Sequence, residues 1–464
     1  MTRRLFRKGD VKSMINVAVI GTGNISHLHI PAYLLFPERA RIVALVDIIP
    51  GKAQKVKEEF GLDCDVYLDH HDILDRKDID LFDVCTPPYV HAEISINAMK
   101  AGKNVICEKP MAPSLAECDE MIRVRDEMGV KLSIIAQNRF RKPIRDLKAL
   151  LDSGIAGPVR HATINSLWWR GHCYYDLWWR GTWEKEGGGC TLNHAVHHID
   201  MLGWMMGLPK RVTSVLANTA HDNAEVEDLS ISILEYPGAL ASLTASVVDH
   251  GEEQTLTFQC EKAKIAAPFS VYASVSKPNG FPERNEALEK EISDFADALP
   301  PVPYIGHDGQ IENVLTAIEQ NTDVAITAED GRRTIELITA VYKAGATKTA
   351  VDLPLQPEDP FYTVEGIMKT VPHFLCAFPV ANAYSGSCNR AKSLLEVLLC
   401  SLQSITEITP SRRQTSVLSP ALRNTRFGPR SRRRSWSTTD AIGHYQENAS
   451  AICVTRRRIT ASIF

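Results

Sequence analysis

Two patterns of apolar and polar positions divide the chain. From residue 15 to about 138, short unbroken apolar runs alternate with segments of helical spacing. The runs are "INVAVI", "RIVALVD", "DLFDVC", "KNVIC" and "VKLSIIAQ". Apolar runs without polar alternation predict strands buried on both faces, as in a parallel sheet. Between them, "SHLHIPAYLLF", "GKAQKVKEEFG", "HAEISINAMKAG" and "SLAECDEMIRVRDEMG" predict helices, the last three closing on Gly61, Gly102 and Gly129. Strands and helices alternating at this pitch predict a doubly wound parallel sheet over 15–138.

After about residue 139 the pattern changes. "IRDLKALLDSG" predicts a helix. "VRHATINSLWW", "VTSVLANTA", "LSISILEY", "ALASLTASVV" and "QTLTFQCE" are rich in Thr, Ser and Val, and several alternate polar with apolar. This predicts an antiparallel sheet with one face packed on helices, over 139–360. "NHAVHHIDMLGWMMG" interrupts the strands as one helix. "QIENVLTAIEQ" and "GRRTIELITAVYKAGAT" are later helices, and "VDLPLQPEDP" is a closing extended segment. The fold class is therefore α/β, with two unlike sheets. Residues 375–464 are rich in Ser, Thr and Arg, with little periodicity beyond "SLLEVLLCSL". They are expected to be disordered or non-native. Residues 1–14 are expected to be a disordered extension, with the natural start at Met14 or nearby.

Composition sharpens this picture. The 464 residues are 44% hydrophobic and 23% charged, which suits two or three cored domains. From Ser411 onward, eleven Arg stand against one Asp and one Glu, a net +9, so the first 410 residues hold −13 of the overall −4. An acidic body argues against nucleic acid as a partner. No apolar run approaches the ~18 residues of a membrane span. The eleven cysteines are scattered, without a C-x-x-C pair. This predicts reduced thiols in a cytoplasmic protein.

Candidate chemistry begins at "VIGTGNIS". Gly21, Gly23 and Ser26 form a G-x-G-x-x-S pattern between a strand and a helix. The glycines permit a tight turn and close approach to a pyrophosphate. Asn24 and Ile25 open the helix, whose N-terminus offers free N–H groups. Asp47 ends the next strand, where a carboxylate accepts hydrogen bonds from a ribose 2′-OH and repels a 2′-phosphate. The expected cofactor is NAD rather than NADP. The plainer alternative is a structural glycine turn with a capping Asp.

Three further strings carry a family resemblance: "TPPYVHAE" (Thr86–Glu93), "CEKPMA" (Cys107–Ala112) and "GGGCTLNHAVHHIDML" (Gly187–Leu202). With the glycine fingerprint they resemble the Gfo/Idh/MocA family of NAD(P)-dependent oxidoreductases, over about residues 15–355. The resemblance implies a Rossmann domain joined to an α/β domain built on a large, open, mostly antiparallel sheet. It also implies a homodimer or homotetramer formed through that sheet. Lys109 matches the family's catalytic lysine, followed by a proline that is commonly cis. His197 matches the catalytic histidine. Thr86, Pro87, His91 and Glu108 match the segments along the nicotinamide riboside, although His91 and Glu108 could equally cap helices or pair locally.

Asn193 falls where many members place an aspartate. An amide cannot take a proton, but it can bond a sugar hydroxyl. Within one helix, residues 193, 197 and 200 would share a face. Asp200 could orient His197 or pair at the domain interface. His194, His197 and His198 raise the question of a metal. Helical geometry turns His198 about 100° from His197, and neither an H-E-x-x-H motif nor a Cys pair completes a set, so no metal is expected.

"LWWRGHCYYDLWWRGTW" (Leu167–Trp183) holds five of the chain's seven tryptophans, with Tyr174, Tyr175, Arg170 and Arg180 among them. Tryptophan can cover the C–H face of a sugar ring while Arg and Tyr bond its hydroxyl edge. Trp179, Arg180 and Tyr175 are thus candidate substrate contacts, with Asn193 and His197. A subunit interface enriches the same residue types. The expected activity is hydride transfer between NAD and a secondary hydroxyl of a cyclic polyol, sugar or sugar derivative. The alternative is a redox-neutral glycosidase or epimerase that oxidises its substrate transiently in the same site.

Overall fold

The unbroken apolar runs fold as strands β1 (Ile15–Ile20), β2 (Ala40–Val46), β4 (Leu81–Val84), β5 (Asn104–Cys107) and β6 (Leu132–Ile134) of a parallel sheet. A short edge strand, β3 (Asp65–Tyr67), completes the order β3-β2-β1-β4-β5-β6. The order reverses between β1 and β4, which opens a crevice at the carboxyl ends of those strands. Helices α1 (Ser26–Leu34), α2 (Lys52–Phe60), α3 (His91–Lys100) and α4 (Leu115–Met128) are the crossovers. Gly61 and Gly129 end α2 and α4 in the left-handed region, where a Cβ is strained. The computed structural model describes residues 14–374; the expected 375–464 tail and all but Met14 of the expected N-terminal extension lie outside the described residues.

The second sheet follows α5 (Lys142–Ser153). It contains β7 (Val159–Leu167), β8 (Arg211–Ala217), β9 (Leu229–Tyr236), β10 (Ala239–Ser246) and β11 (Gln254–Cys260). It continues with β12 (Ala263–Ala267), β13 (Ser270–Ser276), β14 (Pro282–Arg284) and, after the later helices, β15 (Val351–Asp352). The nine strands run in the order β14-β13-β12-β11-β7-β10-β9-β8-β15. Only β7 and β10 pair in parallel; the other pairs are antiparallel. β8 and β9 alternate buried and exposed positions, as a sheet with one covered face requires.

Four further helices are α8 (Glu286–Ala298), α9 (His307–Gln320), α10 (Ala328–Thr347) and α11 (Val364–Thr370). α10 packs on β8 and crosses to α4 beside the first sheet. The stretch between Glu261 and Gln310 carries no expectation from its pattern, yet it supplies β12 to β14 and α8. β13 and β14 lie at the open edge and are largely exposed, so no apolar alternation marks them.

The structure corrects the single helix expected over "NHAVHHIDMLGWMMG". The segment folds as α6 (Cys190–Asn193) and α7 (Val196–Met206), broken at His194 and Ala195. The Ala195 N–H donates to the Cys190 carbonyl at 2.9 Å, a six-residue π-type turn that resets the helix phase. Asn193 and His197 therefore sit on two helices, and their spacing is set by the break rather than by helical periodicity.

Candidate active site

β1 brings the chain to Gly21 in the left-handed region (φ +94°), where a Cβ would lie 2.7 Å from the Cys85 carbonyl oxygen. Only glycine fits between the two strand ends. α1 then starts from Ile25, with no side chain capping its first-turn amides. The Ser26, His27 and Leu28 N–H groups donate to the Gly23, Asn24 and Ile25 carbonyls at 3.1, 3.3 and 2.9 Å, while Gly23, Asn24 and Ile25 themselves stay partly or fully exposed at the positive end of the helix, where an anion can approach. Ser26 is buried, and its hydroxyl donates back to the Gly23 carbonyl at 2.7 Å.

Asp47 closes β2 beneath this loop. Its carboxylate accepts from the Thr22 N–H at 2.9 Å, the Thr22 hydroxyl at 2.8 Å and the Ile49 N–H at 3.0 Å, and pairs with Lys52 Nζ at 2.8 Å. Burial disfavours the carboxylate, but these donors, led by Lys52, hold its pKa below the ordinary aspartate value. Thr86 Oγ1 is buried beside Gly21 without a partner. An uncapped helix start, an orphaned hydroxyl and a carboxylate on the neighbouring strand fit an adenine dinucleotide.

Pro87 leads from Thr86 into the short turn Pro88–Val90, which delivers His91 at the start of α3. His91 is fully buried, with ring nitrogens 2.8 Å from the Pro110 carbonyl oxygen and 2.7 Å from that of Thr86. It clamps the two loops together and presents no free nitrogen.

Lys109 follows β5 and precedes a cis peptide to Pro110. Its Nζ donates to the Asn193 carbonyl oxygen at 3.3 Å. Lys109 and His197 line the same small cavity of about 10 Å³, room for about one water. Lys109, Asn193 and His197 are half-buried among buried neighbours, the pattern of side chains facing a cleft. Burial lowers the Lys109 pKa, and the Glu108 carboxylate opposes the shift. Burial also pushes His197 well below the histidine range, and the Lys109 charge adds to this. A neutral imidazole beside an ammonium group is an acceptor next to a donor.

Asn193 Nδ2 donates to the Gly188 and Gly189 carbonyls at 2.8 and 3.3 Å. Asp200 does not orient His197. It forms a two-pronged pair with Arg139, at 2.8 and 2.6 Å, where the two sheets meet. His198 is buried, and burial lowers its pKa to about 4. Among the described residues, the clusters with three donors close enough for a metal do not include His194, His197 or His198.

The aromatic segment divides by depth. Trp183 is core, its ring edge against Tyr342 and its Nε1 donating to the Pro372 carbonyl at 3.2 Å. Trp178 and Trp169 are exposed. Arg180 lies between Tyr174 and Trp179, its guanidinium carbon 4.1 and 4.3 Å from their ring centroids. Tyr175 is buried, with its ring against Tyr174 and His221, whereas the Tyr174 hydroxyl reaches His194 Nε2 at 3.4 Å. Lys109, Arg170 and Arg180 all act electrostatically on His194, which burial holds well below the usual histidine range.

Sequence reasoning missed Glu186 and Glu227. Glu186 accepts from Arg180 at 2.8 Å and from the Gly181 N–H at 2.6 Å, and burial raises its pKa to about 7 against the pull of Arg180. Its position just before the three glycines was the available signal. Glu227 explains those glycines. A Cβ on Gly189 would lie 1.9 Å from the Glu227 carbonyl oxygen, and one on Gly188 would lie 2.2 Å from the Tyr342 hydroxyl. The chain threads this gap so that the buried Glu227 carboxylate can accept from the Gly189 and Thr191 amides at 3.1 and 3.0 Å and fix α6.

A glycine-loop Rossmann sheet, a lysine and a histidine sharing a wall, and an open second sheet together define a nicotinamide-dependent type of oxidoreductase. Residues 15–135 match the model of an oxidoreductase family with an NAD-binding Rossmann fold, and residues 144–266 match the GFO/IDH/MocA C-terminal domain. The chain belongs to this Gfo/Idh/MocA family. It is 34% identical over 217 residues to the 2,7-anhydro-N-acetylneuraminate hydratase of Mediterraneibacter gnavus, covering 46% of this chain and 55% of that protein. It is 33% identical over 193 residues to the inositol 2-dehydrogenase of Azotobacter vinelandii, covering 41% and 54%. These matches thus span about half the length of either relative. The crystal structure of the WlbA dehydrogenase of Bordetella pertussis, in complex with NADH and UDP-GlcNAcA, superposes with a TM-score of 0.64 at 26% identity, covering 74% of this chain and 99% of that one.

Among the described residues, no helix is long and apolar enough to cross a membrane.

Proposed function

We propose that this protein is an NAD-dependent dehydrogenase acting on a secondary hydroxyl of a cyclic polyol, sugar or sugar derivative. The observation that carries this is that Lys109, just past the end of β5, reaches the Asn193 carbonyl at 3.3 Å and lies close enough to His197 for its charge to help lower the imidazole's pKa. When bound, NAD supplies the hydride acceptor. His197, neutral in its buried setting, accepts the hydroxyl proton, and the Lys109 ammonium stabilises the developing alkoxide. Asn193, Arg180 and Trp179 orient the ring, with Tyr175 supporting them from below. The two domains of this reading run over 15–138 and 139–360. NADH absorbance across a panel of polyols, aldoses and sugar acids tests it; an inert panel with NAD bound would overturn it.

A second reading is redox-neutral conversion in the same site, with the oxidised cofactor regenerated at each turnover. The Mediterraneibacter gnavus relative is a hydratase, which favours it. Substrate consumed without NADH accumulation distinguishes it from the first.

The same proposal includes a homo-oligomer built on the uncovered face of the nine-stranded sheet and a cytoplasmic location. Val215, Ile231 and Ile233 are 60%, 51% and 46% exposed on adjacent strands, an apolar surface suited to a second copy. Ile233→Lys should shift the mass in solution toward monomer; a monomeric wild type would overturn this part. Seven free cysteines among the described residues support the reducing compartment.

A further inference from the structure

Beneath Lys109 runs a chain of charged groups that the proposed reaction does not use. His29, on α1, and Asp83, on β4, are fully buried, and Glu108 at the end of β5 is 3% exposed. His29 Nδ1 lies 3.0 and 2.9 Å from the two Asp83 oxygens, and His29 Nε2 lies 2.9 Å from Glu108 Oε1. The other Glu108 oxygen accepts from the Lys109 backbone N–H at 3.0 Å. His307, at the start of α9, sits 3.5 Å from Glu108 Oε1.

We propose that Asp83, His29 and Glu108 are positioning residues for Lys109: they clamp the Glu108 carboxylate against the Lys109 peptide and hold it as the counter-charge for the ammonium. Both ring nitrogens of His29 face carboxylates, so both carry protons and the ring is a cation. Burial works against that cation, yet Asp83 keeps its pKa well above the ordinary histidine value. Burial likewise opposes ionisation of Glu108, but the hydrogen bond from His29 and the nearness of His307 hold it well below the ordinary glutamate range. An unpaired buried carboxylate would take up a proton; here the imidazolium prevents it.

His29, Glu108 and His307 also form a two-histidine, one-carboxylate set of metal-ligand type. A doubly protonated His29 has no lone pair to give a metal, so the hydrogen-bonded reading excludes that use. Burial and Asp83 raise the Cys85 thiol to about 12 and the Tyr33 hydroxyl well above its ordinary value, so both stay neutral beside Asp83. Burial lowers His91, while its hydrogen bonds to the Pro110 and Thr86 carbonyls pull the other way. On its other side Lys109 faces Arg180, which opposes its charge, and Glu186, which favours it.

The inference rests on the role given to Lys109 above, but its test needs no substrate. The pH dependence of Lys109 acetylation by trace acetic anhydride, read by mass spectrometry on the whole protein, gives the lysine's own titration. Glu108→Gln should move that titration to lower pH by about one unit, because the anion offsetting burial is gone. His29→Asn should reproduce the shift, since Glu108, buried without the imidazolium beside it, takes up a proton and no longer offsets the Lys109 charge. The double variant should shift no further than either single, as members of one chain are not additive.

An unmoved Lys109 titration in folded Glu108→Gln overturns the proposal. So do additive shifts in the double variant. Should both variants fail to fold, the wild type decides: nitrogen-15 spectra at pH 7 should show both His29 ring nitrogens protonated. A neutral tautomer, with or without bound metal, overturns the chain. A wild type inert toward every sugar would defeat the proposed function and leave this titration to be judged on its own.

Discussion

The Lys109 ammonium donates to the main-chain oxygen of Asn193 across 3.3 Å, tying the end of β5 to the end of α6. One bond thus joins the cofactor sheet to the helix break that presents His197. The two proposed catalytic side chains are held by the same short span of backbone, so they should fail independently of cofactor binding.

Lys109→Met keeps bulk and removes the ammonium, and His197→Ala removes the base. Acid–base groups are worth about 10²–10⁴-fold in rate. Each change should lower kcat by about that factor, while NAD affinity, measured by fluorescence titration, stays within a few-fold. The loss through His197 should shrink at high pH, where hydroxide can take the proton. Near-full kcat in His197→Ala at neutral pH would make the histidine structural and move the base to Lys109 or Tyr174.

Asp47 sets the second prediction. NAD should bind about tenfold or more tightly than NADP, because a 2′-phosphate would meet a carboxylate. The Lys52 ammonium, 2.8 Å from Asp47, softens that repulsion. Lys52→Met should therefore widen the ratio of dissociation constants and Asp47→Ala should narrow it. Equal affinities in the wild type would reject this role for Asp47.

The sequence patterns that foretold most were those with one physical cause. Strands buried on both faces leave unbroken apolar runs, so β1, β2, β4, β5 and β6 were legible, as were the glycine loop and Asp47. β13 and β14 were not, because an exposed edge imposes no apolar rule. Local strings marked Lys109 and His197 as candidates, and the structure places them near one another. Glu186, Glu227 and the His29–Asp83–Glu108 chain were not legible, because each joins residues far apart in sequence. For Asp200 the sequence left two alternatives open, and the structure takes the second, a pair with Arg139 61 residues away.

Asn193→Asp restores the residue more common in the family, yet the structure argues against it. The amide donates to two carbonyl oxygens, and a carboxylate would face both with no proton to share. Losing those bonds at a partly buried site costs about 1–3 kcal/mol. The variant should melt several degrees lower and gain no kcat at neutral pH. An unchanged melting temperature with a faster rate would show that the side chain turns away from Gly188 toward the substrate.

Glu186 gives a prediction in stability against pH. Its carboxyl titrates near 7 in the folded protein, because burial raises it and Arg180 only partly opposes. In the unfolded chain it would titrate near the ordinary glutamate value of about 4.3. A carboxyl raised on folding binds its proton more tightly in the native state. Its contribution is therefore complete below about pH 4 and is lost as pH rises through about 7. Glu186→Gln cannot titrate and lacks this slope. The attraction to Arg180 acts on the ionised form and is already contained in the folded pKa, so only the hydrogen bonds that the glutamine remakes or loses add a constant offset. Urea unfolding of both proteins from pH 5 to 8 should show the variant gaining on the wild type by roughly 1 kcal/mol per unit up to about pH 7, then levelling. Parallel curves across the whole range would mean that Glu186 stays ionised beside Arg180 and acts only as a fixed ion-pair partner.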